Sequence, residues 1–182
     1  MSHAYSPVPE LNMLKEFEER LGRACYSQAV ELREFGVVPG IKTWTADPEF
    51  VAGFLGFADA TLSGSTYALW RVDDRADLST LPVVVFGDEG GIFIVAHNIR
   101  ELLRLFGCDR EIHVWDDCAG FVEDDEDEQG DEASPDHVEY LAWLDQQFGL
   151  APPSDPNELV QAADEELGAQ LASWMGRFVE DV

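Results

Sequence analysis

The sequence predicts an α+β fold: an antiparallel or mixed central sheet with helices packed around it and further helices at the C-terminal end. Three observations predict it. Two short β-branched runs, 82–86 and 92–95, are joined by Gly87-Asp88-Glu89-Gly90-Gly91, whose glycines supply the positive φ that a hairpin needs. Stretches with the apolar spacing of a helix lie before and after this β-rich middle. With 46% hydrophobic residues, among them eleven Phe, five Trp and four Tyr, the 182-residue chain carries enough apolar surface to close a core over such a sheet.

Taken in order, Leu11, Leu14, Phe17 and Leu21 recur among Lys15, Glu16, Glu18, Glu19 and Arg20, which predicts an amphipathic helix ending near Gly22. A second helix is expected over 27–35. Gly36 and Val37-Val38-Pro39-Gly40 break it, and the turn leads into an extended 41–45. The stretch 50–57 fits a strand and a short helix equally, although Asp47-Pro48-Glu49 resembles a helix start. Ser63-Gly64-Ser65 reads as a turn before an aromatic-rich strand over 66–72. After the hairpin, Asn98 is placed to cap a helix through Phe106, with Ile99, Leu102, Leu103 and Phe106 on one face and Gly107 as its stop. A last short strand is expected at 111–115.

Segment 123–135 has no apolar residue larger than Ala and dense like charge, so it reads as a mobile loop kept extended by self-repulsion. Val138, Leu141, Leu144 and Phe148 predict a further helix ended by Gly149. A stiff Pro-rich connector and a long helix follow, the latter facing inward with Leu159, Ala162, Ala163, Leu167, Leu171, Trp174 and Phe178. Residues 1–150 are thus expected to form one α+β domain carrying the acidic loop, with 151–182 packed on it and the sheet covered by helices on one side.

The net charge is −26, and the eight carboxylates within 123–132 account for less than a third of it. Such a field opposes nucleic acid and anionic membrane and speeds encounter with a basic protein. No apolar run approaches the roughly 20 residues of a membrane span. The first residues have neither a basic start nor an apolar run, and the three cysteines read as reduced thiols, which together predict a cytoplasmic chain.

Chemistry finds little support in the residue pattern. The Gly-x-Ser-x-Gly elbow of a serine hydrolase is absent. Cys108-x4-His113-x4-Cys118 makes at most a zinc half-site, whose fourth ligand could only come from Asp116, Asp117 or His97, so no metal is expected. Asp125, Asp127, Gln129, Gly130, Asp131 and Asp136 fall on a calcium-loop template, but Glu132 takes its hydrophobic position and Asp136 replaces the final bidentate Glu, which argues against a dedicated site. Neither Gly53-Phe54-Leu55-Gly56 nor Asp88-Glu89-Gly90-Gly91 has the spacing or the Lys of a phosphate cradle, and no cofactor is expected.

Within 57–106 stand the Gly/Ser turn before Tyr67-Ala68-Leu69-Trp70, the run Leu81-Pro82-Val83-Val84-Val85-Phe86-Gly87-Asp88-Glu89-Gly90, and Val95-Ala96-His97-Asn98-Ile99-Arg100-Glu101-Leu102-Leu103. This stretch resembles the core of the SMI1/KNR4 family of the SUKH superfamily. The resemblance implies an α+β fold without catalytic residues and, in bacteria, an immunity protein that neutralises a toxin, often a nuclease, by binding it. A carboxylate-rich surface suits a nuclease's basic groove. The expected contacts are Asp73, Asp74, Asp88, Glu89, Asp116, Asp117 and the acidic loop; Trp70 and Trp115 are candidate aromatic anchors, although a tryptophan in such a pattern more often belongs to the core. A regulatory or scaffolding protein of the same fold is the alternative. A hydrolase using acidic residues or Cys118 is a third reading, and it predicts a deep pocket lined by carboxylates or by Cys and His.

Overall fold

In the computed structural model, which describes residues 4–22, 25–28, 30–122 and 132–179, five strands form one antiparallel sheet whose spatial order is also their chain order. Helix α1 (Pro9–Leu21) opens on a proline, whose missing N–H has no helical partner in the first turn anyway, and it ends at Gly22. The described residues of the 27–35 stretch are not helical. It carries a short edge strand, β1 (Glu31–Leu32), paired with β2 (Phe54–Asp59) through Glu31↔Asp59 and Leu32↔Ala58. Arg33 and Gly36 continue the pairing by donating their N–H groups to the carbonyls of Phe57 and Gly56, at 2.8 and 2.7 Å. These bonds to the sheet outweigh a weak local preference for helix.

The expected extended 41–45 is a 3₁₀ turn over Ile41–Thr43 in place of a strand, entered through Gly40 with φ 70°. The ambiguous 50–57 stretch resolves into both elements in succession. Asp47 caps α2 (Pro48–Ala52) by accepting from the N–H of Glu49 at 2.8 Å, and β2 follows after Gly53. Next come β3 (Thr66–Trp70), β4 (Val83–Phe86) and β5 (Ile92–Ala96), the last two forming the expected hairpin with Gly90 and Gly91 at φ 121° and 85°.

Every residue of β3 and β4 is buried, because both faces of the sheet are covered. Tyr67, Leu69, Val83 and Val85 face α1, α3 (Ile99–Phe106) and α4 (His137–Phe148). Ala68, Trp70, Val84 and Phe86 face α2 and α5 (Pro156–Met175). Helices therefore lie on two sides of the sheet where the chain order suggested one. A bulge between Gly56 and Ala58 lets Phe57 join the first face while keeping Ala58 opposite Tyr67.

The helix after the hairpin forms as expected, with the Asn98 side chain accepting from the N–H of Glu101 at 3.0 Å. The expected strand at 111–115 shortens to β6 (His113–Val114), paired with β7 (Ala119–Gly120) in a separate two-stranded ribbon. In α4 the inward residues are Tyr140, Trp143 and Leu144, while Val138 is 75% exposed in the first turn. In α5 Ala163 and Leu171 face the core as expected, whereas Ala162 is exposed. Residues 123–131 lie outside the described residues, and with them most of the acidic run and of the calcium-like pattern. Among the described residues, no helix is long and apolar enough to cross a membrane.

Candidate functional site

A groove of about 490 Å³ runs between α5 and β5, the edge strand of the sheet. It exists because α5 presents Gly168, Ala169 and Ala172 where larger side chains would fill the space. Ile92, Leu171 and Met175, all buried, make its floor, and Phe93 and Trp44 add partly buried apolar surface. Trp44, in the loop after the 3₁₀ turn, is held edge-on to Phe86 with ring centroids 6.5 Å apart.

Three carboxylates border this apolar trough. Asp116 and Asp117 stand exposed in the turn between β6 and β7, and Asp164 projects from α5. Asp164 folds down against Gly168, since a Cβ at that glycine would lie 2.6 Å from the carboxylate Oδ1. Burial, and then the charge of Glu165, push its carboxyl above the usual range. Burial also raises the neighbouring Cys118 thiol, with further contributions from its hydrogen bond to Asp117 and from the charges of Asp117 and Asp164. The groove thus joins an apolar floor to a rim of one sign, and no Lys or Arg is among its described lining residues.

The expected contact residues divide into distinct places. Asp116 and Asp117 border the groove, and Asp88 and Glu89 sit in the β4–β5 turn, three and two residues before Gly91, which lines it. Hydrogen bonding to Ser63 and Ser65 keeps the Asp88 carboxyl below its ordinary range, and the Ser65 Oγ donates to it at 3.0 Å. Asp73 and Asp74 lie beyond the far end of β3, because the pairing of Leu69 with Val83 and Thr66 with Phe86 puts the 71–82 connection opposite the hairpin turn. Both also have an arginine nearby, close for Asp73 and more distant for Asp74. Arg75 grips Asp73 with Nε at 2.7 Å and Nη2 at 2.6 Å, holding the carboxyl down at about 2, and Arg71 lies 3.8 Å from Asp74.

Trp70 is corrected outright as a surface anchor. It is 1% exposed on the α5 side of the sheet, 5.9 Å from the Trp174 ring, because β3 is central and covered on both faces. Trp115, by contrast, is 44% exposed and stacks on His113 beside Asp116. Sequence reasoning missed Trp44 and Asp164. The signals available for them were an aromatic between two threonines just after a Pro-Gly turn, and an acid four residues before a mid-helix glycine.

Other polar clusters are structural. Ser134 donates its N–H and Oγ to Asp109 at 2.7 and 2.6 Å, while His137 Nδ1 meets the Tyr26 carbonyl at 3.0 Å. Serine, acid and histidine are near one another, but the serine hydroxyl is spent on the acid, so the cluster clamps the start of α4 to the 25–28 segment. His97 bridges Glu101 of α3 and Glu166 of α5 at 2.9 and 3.1 Å. Cys108, pushed up to about 11 by burial, lies at the end of α3, and Cys118 is exposed in the β6–β7 turn. Among the described residues, no three His, Cys, Asp or Glu side chains are placed to share a metal ion. A second groove of about 290 Å³ between α1 and α4 contains Arg20, whose guanidinium covers the Phe17 ring.

No family model, curated protein or solved structure matches the chain.

Proposed function

We propose that this protein is a non-catalytic binding module that neutralises a basic protein, a toxin domain such as a nuclease being the class that fits best. One observation carries the reading. Asp88, Glu89, Asp116, Asp117 and Asp164 gather around one groove and the adjoining turn without an ion pair to any described Lys or Arg, whereas Asp73 and Asp74 at the opposite end are matched by arginines. Carboxylates held out of local ion pairs keep their attraction for an incoming cationic surface. The net charge of −26 and the resemblance of residues 57–106 to the SUKH core support the same reading. A nuclease groove built to receive phosphates is the kind of surface such a rim mimics.

The test begins with affinity capture from the native cell, followed by co-expression of the captured protein with and without this chain. Rescue of growth is expected, together with an affinity that falls at least about tenfold between low and physiological salt. Replacing Asp116 and Asp117 together by Asn should slow association by about tenfold, while Asp73→Asn should leave it nearly unchanged. Failure to rescue growth, or salt-insensitive binding, rejects the proposal.

A further inference from the structure

Resting on that reading, we infer that the groove between α5 and β5 is a pocket for one anchoring side chain of the partner, an aliphatic or aromatic residue carried between lysines or arginines. The groove's two chemistries require both halves of this description. Its floor of Ile92, Leu171 and Met175 offers no hydrogen-bonding side chain and gains from excluding water, so it selects an apolar group. Asp117 and Asp164, which both act on the Cys118 thiol, then border the floor where cationic residues next to that group would come to rest. Trp44 adds an aromatic wall on which a guanidinium or ammonium also binds favourably. At about 490 Å³ the space lies within the range of sites that enclose small ligands, which suits one large side chain and its adjacent backbone.

Charge decides among occupants. A second copy of this chain, itself at −26, and the chain's own acidic run at 123–132 both bring like charge to an acidic rim. Phosphate of a nucleic acid or of a lipid surface is repelled in the same way. The groove between α1 and α4 lacks this complementarity, because its Glu16 is offset by Arg20 in the same lining. A basic protein segment with an apolar anchor is the occupant that satisfies both floor and rim.

The probe is the acetylated, amidated pentapeptide Lys-Lys-Leu-Lys-Lys, compared with the same peptide bearing Ser in place of Leu, by amide NMR titration of the full chain. Saturable shifts are expected at Gly91, Gly168 and Ala172, with binding about tenfold weaker for the Ser peptide, as for loss of an apolar group from a hydrophobic pocket. Ala172→Trp fills the groove from an exposed position on α5 and should abolish these shifts at unchanged melting temperature. Asp117→Asn with Asp164→Asn should weaken the Leu peptide and flatten its salt dependence. Equal affinity for the two peptides, or shifts confined to residues outside the groove, would overturn the inference. If the natural partner binds Ala172→Trp as it binds the unaltered chain, the groove is not the anchor site even though neutralisation stands. If the peptide results hold and no basic partner rescues growth, the pocket stands and the proposed function falls.

Discussion

Gly56 shows how one residue ties two chain segments together. A Cβ there would fall 2.0 Å from the Val37 carbonyl oxygen, so the 36–38 segment crosses β2 at a distance that only glycine permits. The obstacle is backbone rather than a flexible side chain, and Gly56→Ala must push the crossing segment away. The variant is expected to lose on the order of 3 kcal/mol, read from its urea midpoint, and a loss under about 1 kcal/mol would mean that the crossing is loose. Trp44 and Asp164 make the complementary point. Each is unremarkable in its local pattern, and each acquires a role only because α5 lies along β5 and brings residues more than a hundred positions apart into one groove.

Among the elements, local rules succeed where the side chain that starts or stops a helix acts on its own neighbours. Asn98, Asp47 and Asp155 each accept from the N–H groups of the next turn. Asp155 receives both Asn157 and Glu158, at 2.8 and 3.4 Å, and opens the helix that forms one wall of the groove. Asp155→Ala is therefore expected to lower stability by about 1 kcal/mol in urea unfolding, with Asp155→Ser recovering most of it. An equal loss for both variants would show that the aspartate acts through something other than its cap. The same rules misjudge 27–35, where the partner for Glu31 and Leu32 lies in β2, well over twenty residues away. They place Leu144 and Phe148 of α4 correctly but miss Tyr140 and Trp143, because that part of the face is set by an aromatic cluster in which Tyr140 stacks on Tyr26 at 4.9 Å and packs against Trp143.

For the whole molecule, charge governs the dependence on pH. Burial raises the Glu18 and Asp164 carboxyls above their ordinary range. As pH falls from neutral, the folded chain takes up these protons before the unfolded chain does, and stability rises. Asp73, Asp77 and Asp88 are shifted the other way, each first by a side-chain hydrogen bond, from Arg75, Ser79 and Ser63 respectively. Their contribution is present above the unfolded carboxylate value of about 3.9 and is lost as pH falls through their lower folded values. The net charge of −26 adds a self-repulsion that shrinks toward the sequence pI of about 4.1. The melting temperature is thus expected to be a few degrees higher at pH about 5.5 than at about 7.5, and to fall again below about 3.5. Added salt should raise it more at the higher pH. A melting temperature that falls steadily from neutral pH downward would contradict this account.

The fold class, the β4–β5 hairpin, the first helix, the capped helix after Asn98 and the acidity are all legible in the residue pattern, because each depends on neighbours in the chain or on composition alone. Packing in three dimensions is what puts helices on both faces of the sheet, Trp70 in the core, arginines near Asp73 and Asp74, and Asp116, Asp117 and Asp164 around one apolar groove. Burial and charge pairing are properties of what surrounds a residue in space, and for a strand in the middle of a sheet or a carboxylate on a helix those surroundings come from segments that local pattern does not connect.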